Sequence, residues 1–79
     1  MDNIKFLSIY YKLRDIKSNK NIVTIKFNKG NNVLYRCEIV KLCKNSNSVE
    51  VAGFRKVGNY LDKFTQWIKF RQIKEVIEH

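Results

Sequence analysis

Proline is absent, histidine occurs once, cysteine twice, and Asp and Glu together number only 7 in a chain of 79 residues. Each scarcity excludes something. Without proline there is no Pro-rich linker. No internal repeat or low-complexity block divides the chain either, so residues 1–79 are expected to form one domain. The only histidine, His79, stands at the last position, where chain ends usually fray and hold no proton-transfer geometry. The carboxylates Asp2, Asp15, Glu38, Glu50, Asp62, Glu75 and Glu78 are scattered. The nearest two, Glu75 and Glu78, lie between Lys74 and His79 like a solvated terminus rather than an acid/base pair. The expectation is therefore a protein that is not an enzyme.

Cys37 and Cys43 are six positions apart, which is no recognised metal-ligand spacing, and no second Cys/His pair completes a site. On one strand they would lie ~20 Å apart, beyond the ~4.4–6.8 Å that a disulfide allows between Cα atoms. Two reduced cysteines, no metal and no cofactor are expected. The longest apolar stretch, Phe6-Leu7-Ser8-Ile9-Tyr10-Tyr11, is far short of the ~18 residues of a membrane span. It follows Asp2 and lacks a small-residue cleavage site, so a cytoplasmic protein with no membrane partner is expected.

What the chain does contain is positive charge: 16 Lys and Arg for a formal net charge of +9, with 44% apolar and 13% aromatic residues. That apolar fraction is ordinary for a folded domain. A chain this short buries only about 60–65% of its unfolded surface, so aromatic rings must fill much of a thin core. Lys, Asn and Ile number 12, 9 and 9, and all three are encoded by AT-rich codons. This bias fits a low-GC bacterium or its phages, and it raises the lysine count without any functional demand.

Residues 3–18 read as an amphipathic helix, because Phe6, Ile9, Leu13 and Ile16 recur at helical spacing opposite Lys5, Ser8, Lys12 and Asp15. Asp2 or Asn3 is the expected N-cap. Ile22–Phe27 alternates as a strand, with Val23, Ile25 and Phe27 on one face. Asn28-Lys29-Gly30-Asn31-Asn32 is a turn. Val33–Leu42 forms a long strand whose apolar parity changes from Tyr35, Cys37 and Ile39 to Val40 and Leu42, which predicts a bulge or bend. After a turn at Lys44-Asn45-Ser46-Asn47, Ser48–Lys56 makes a third strand, with Val49 and Val51 inward and Gly53 at a second bend.

The last twenty residues are ambiguous. Phe64 to Phe70 is rich in β-prone types, with Ile73, Val76 and Ile77 then forming a helical turn and a small final strand. Against this, Asn59-Tyr60-Leu61-Asp62 imitates a capping box and predicts a C-terminal helix. Two architectures follow, both α+β. The first is an N-terminal helix followed by a small, strongly bent five-stranded antiparallel β-barrel over residues 22–77. The alternative is α-β-β-β-α, whose order is similar to the double-stranded-RNA-binding domain.

The stretches Ile22–Gly30, Tyr35–Leu42 and Trp67–Ile77 carry apolar spacings that resemble the Sm-like barrels, and more particularly the YolD-like family of small bacterial proteins. That resemblance implies the barrel fold. Cys37 stands where such barrels usually place a glycine at the bend of the second strand, and the Asp-containing loops by which Sm proteins hold RNA bases are absent here.

Charge is distributed along the chain: +3 over residues 1–20, +4 over 21–47 and +2 over 48–79. Lys26, Lys29, Arg36, Lys41, Lys44, Arg55 and Lys56 fall opposite the apolar parity of the strands or in the turns, so hairpin folding is expected to gather several onto one face. Such a face suits nucleic acid or a nucleoprotein, because each neutralised phosphate releases counterions. Tyr35, Phe54 and Tyr60 stand near these cations and are candidates for stacking on bases. Phe27, Phe64, Phe70 and Trp67 are expected in the core. The competing class is a phage-type inhibitor or adaptor that binds a host protein or defence complex, such as an anti-CRISPR. A third is a homo-oligomer built through an exposed edge strand. A DNA mimic is excluded by the positive charge.

Overall fold

A computed structural model of the chain describes residues 2–30 and 32–79, with side chains from Lys5 onward. One helix, α1 (Asp2–Asn19), precedes five strands: β1 (Val23–Phe27), β2 (Val33–Cys43), β3 (Ser48–Val57), β4 (Tyr60–Lys69) and β5 (Ile73–Glu78). A single 3-10 turn, Phe70–Gln72, joins β4 to β5. All pairings are antiparallel, and the order across the sheet is β4-β3-β2-β1-β5. The expected α+β class holds.

The ladder differs from the closed barrel that the apolar spacing suggests. β4 and β5 lie at opposite edges, and the sheet is bent but open. The bend comes from β2, which carries two irregularities. Val23 pairs with Cys37 but Ile25 pairs with Leu34, so Tyr35 and Arg36 together face Thr24. On its other side, Ile39 pairs with Val51 and Lys41 with Glu50, leaving Val40 as the extra residue. These bulges reset the parity, so Leu34, Cys37 and Ile39 all face the core. Tyr35, counted with the inward set from the sequence, is turned outward and is 39% exposed.

The C-terminal helix is overturned. Asn59 does not cap a helix; with Gly58 it forms a two-residue hairpin loop between the paired residues Val57 and Tyr60. Gly58 has φ of +60°, the conformation that glycine adopts without steric cost. Along β4, Phe64, Gln66 and Ile68 face inward with period two, which a helix cannot reproduce.

One core cluster joins every element: Leu13 and Ile16 from α1, Val23 and Ile25 from β1, Cys37 from β2, Val49 and Val51 from β3, Ile68 from β4, Phe70 from the 3-10 turn, and Ile73 and Val76 from β5. Phe6, Ile9 and Tyr10 pack against it from the helix. The cap expected from Asp2 or Asn3 lies outside the described side chains, and Asn31 of the first turn lies outside the described residues. The other end of α1 is explicit. The N–H of Asn21 donates to Ile16 O and that of Lys20 to Lys17 O, with Lys20 at φ +55°. This is a Schellman motif built without glycine. Trp67 departs from its expected place in the core: its parity on β4 is opposite to Ile68, and it is 52% exposed.

Both cysteines are unpaired and lie on β2. Burial raises the Cys37 thiol from its ordinary 9.0 to about 11, while hydrogen bonds from Ser46 lower that of Cys43. At neutral pH a disulfide-exchange reagent is expected to modify Cys43 readily and Cys37 only after unfolding. Because the folded state holds the Cys37 proton more tightly, this group stabilises the fold fully below pH 9 and loses that contribution as pH rises toward 11. Urea unfolding of the wild type and Cys37→Ala across that window tests it: the wild-type slope against pH should be steeper. Equal slopes, or two thiols reacting alike in the native protein, would contradict this assignment.

Candidate nucleic-acid interface

The bulge in β2 builds the most distinctive surface feature, an open cleft of about 810 Å³. Ile22, Thr24 and His79 form one wall, Tyr35 and Arg36 project from the bend itself, and Lys56 and Leu61 close the other side. Each wall has a local cause. Lys56 and Leu61 are cross-strand partners at the end of the β3–β4 hairpin, which fixes them side by side. Thr24 points outward between two core residues of β1, Val23 and Ile25, yet is only 8% exposed because the His79 ring covers its hydroxyl. The His79 N–H donates to Ile22 O at 3.2 Å, so β5 holds the residue in place where a frayed end is expected from the sequence.

Arg36 has φ of +50°, a left-handed conformation that costs a non-glycine residue roughly 1–2 kcal/mol. The conformation falls at the bulge, and the residue is exposed and lines the cleft. A guanidinium offers a planar fork that binds two phosphate oxygens together, and Lys56 adds a second, point-like cation. Among the described residues lining the cleft there is no Asp or Glu side chain.

The ten residues singled out from the sequence do not share one face. Arg36, Lys56 and Tyr35 meet in this cleft. Phe54 is beside it, as the cross-strand partner of Tyr35, and Tyr60 lies at the hairpin end, 64% exposed. Lys29 and Arg55 meet elsewhere, around a smaller recess of about 240 Å³ with Leu34 and Gln66, where the Arg55 guanidinium lies 5.2 Å from the Phe64 ring centre. Lys26 pairs with Glu75 at 3.8 Å, an exposed contact worth ~0–1 kcal/mol that offsets its charge. Lys41 stands opposite Glu50 across the β2–β3 ladder. Lys44, in the turn before β3, sits 5.7 Å over the Tyr10 ring of α1. The separation has local causes: Arg55 is adjacent to Lys56 on β3 and so takes the opposite sheet face, while Lys29 and Lys44 lie in turns and Lys26 on β1.

Residues that parity did not single out complete the cleft. Thr24 and Ile22 lacked a charge, Leu61 figured only in the alternative C-terminal helix, and His79 was read as a loose end. The one available signal was Gly58-Asn59, a hairpin pair that would have placed Leu61 opposite Lys56. Comparison with protein-family models, with curated proteins and with solved structures finds no match to this chain. No helix among the described residues is long and apolar enough to cross a membrane.

Proposed function

We propose that this protein is a cytoplasmic, non-enzymatic binding module that contacts nucleic acid, alone or within a nucleoprotein, at the β2 cleft. The observation that carries the reading is the left-handed Arg36, held beside Lys56 and Tyr35 in a cleft lined by no Asp or Glu side chain. Phosphates take the two cations, and the Tyr35 ring supports a base or sugar.

Fluorescence anisotropy with labelled DNA and RNA tests the reading. Binding at micromolar concentration or tighter is expected, weakening steeply with salt. The pair Arg36→Glu and Lys56→Glu should lower affinity at least about tenfold. Loss of two phosphate contacts should also reduce the slope of log K against log salt by roughly 1.4–1.8. Lys26→Glu, remote and already paired, should change little. Affinity weaker than ~100 μM for every probe, or a double variant that binds like the wild type, would end this reading.

A second reading, an inhibitor that docks on a host protein, has its own observation. On α1, Leu7 and Tyr11 are exposed, and the Arg14 guanidinium lies 4.8 Å over the Tyr11 ring; Tyr and Arg are among the residue types that dominate interface energetics.

A further inference from the structure

The β3–β4 ladder is regular from Ser48–Lys69 to Val57–Tyr60, with no bulge. Alternate residues Leu61, Lys63, Thr65, Trp67 and Lys69 therefore share the face turned away from Phe64 and Ile68. Cross-strand pairing extends that face over β3 and β2. Tyr35 lies beside Phe54 and Phe54 beside Lys63; further along, Lys41 lies beside Glu50 and Glu50 beside Trp67. Two aromatic platforms result, the Tyr35–Phe54 pair at the cleft and Trp67. Phe54 and Glu50 are four residues apart, so the platforms are separated by ~13 Å along the strands.

Trp67 is not part of the core cluster. A short chain with a thin core leaves its only tryptophan half in water, on a face shared with Lys41, Lys56, Lys63 and Lys69 against Glu38 and Glu50. Four cations to two carboxylates on an apolar, ring-bearing surface complements a polyanion that can offer bare ring faces. In a duplex, base faces are covered by their neighbours; only an unpaired strand can present them to a flat sheet. Bases stacked at ~3.4 Å cannot reach both platforms as neighbours, so the strand between them must be splayed.

We infer that this outer face binds a single-stranded polynucleotide, with bases stacked on Trp67 and on the Tyr35–Phe54 pair, and Lys63 and Lys69 on its phosphates. The inference rests on the proposed nucleic-acid reading and extends it from the cleft to β4. Because Trp67 is the only tryptophan, its emission reports this site alone.

The test titrates the full chain with single-stranded DNA and RNA of about 16 nucleotides and with duplexes of the same sequence. Emission and the anisotropy of labelled strands are both followed. Single strands should quench Trp67 saturably and bind at least about tenfold tighter than the duplexes. Trp67→Ala should weaken single-strand binding about tenfold by anisotropy. Trp67→Phe should retain most of it, and circular dichroism should show both variants folded, since the side chain is exposed. Duplex binding as tight as single-strand binding, with emission unchanged and Trp67→Ala neutral, overturns this inference and leaves the cleft reading standing. No salt-dependent binding to any probe overturns both, and points the same exposed rings toward a protein partner.

Discussion

Replacing Phe70 by alanine is expected to destabilise the protein by about 3–5 kcal/mol, the usual range for emptying a buried aromatic site. Phe70 is wholly buried, and it occupies the 3-10 turn where the chain leaves β4 at one edge and enters β5 at the other. Three elements converge on it. Its N–H donates to Asn47 O at 2.8 Å, tying the turn to the β2–β3 loop, and its ring meets that of Phe6 on α1 edge-on at 6.3 Å. The neighbouring Asn28 N–H donates to Gln72 O at 2.9 Å and secures the other end of the turn. At roughly 0.05–0.15 kcal/mol per residue, a chain of 79 residues has about 4–12 kcal/mol of stability in all. Phe70→Ala therefore removes a large fraction of it, and a substantially unfolded population at 37 °C is expected. Urea unfolding should show a lowered midpoint, with Phe70→Leu intermediate. A loss below about 1 kcal/mol would show that the helix and the sheet do not depend on this ring.

Gly53→Ala is expected to cost about 1–3 kcal/mol, through overpacking rather than a cavity. Gly53 is buried on β3 against the bulge, and a Cβ there would lie 2.7 Å from Cys37 Sγ and 3.3 Å from Tyr35 O. The space at the β2 bend is supplied by Gly53 from the strand opposite. Cys37→Ala alone should cost about 1 kcal/mol for the lost buried group. If the clash is the cause, the double variant should be more stable than the sum of the single effects by at least about 0.5 kcal/mol. The same substitution should weaken polynucleotide binding, because the displaced segment, Tyr35 to Cys37, carries the cleft's cation and ring. Strictly additive stability changes would place the cost elsewhere.

Much of the fold was legible from local patterns. Phe6, Ile9, Leu13 and Ile16 recur at helical spacing because one face of α1 is buried, and the structure seats all four against the core. Val23 and Ile25, like Val49 and Val51, alternate because one sheet face is dry. The change of parity along β2 announced a bulge for the same reason. The assignments that failed were those where one pattern serves two structures. Asn59 to Asp62 has the composition of a helix cap, but Gly58 supplies the positive φ that turns the chain into a hairpin first. Trp67 was given to the core on size alone, although its parity is opposite to Ile68.

The candidate site was less legible. Arg36, Lys56 and Tyr35 were among the residues singled out, as were Lys26, Lys29, Lys41, Lys44 and Arg55, which the fold sends elsewhere. Alternation says that a side chain is on the solvent side of its own strand. It does not say where that side faces after two bulges.

The amino-acid order by itself determined the charge, the elements from α1 to β3 and the buried faces of α1, β1 and β3, because these depend on composition and on periods of 2 and 3.6 residues. Only the tertiary structure decided which cations are neighbours, that the sheet stays open, and that His79 and Leu61 border the same cleft as Arg36. Those relations join residues far apart in the chain through bulges and a 3-10 turn. Small rotations there, set by packing around Gly53, Cys37 and Phe70, redirect whole strands.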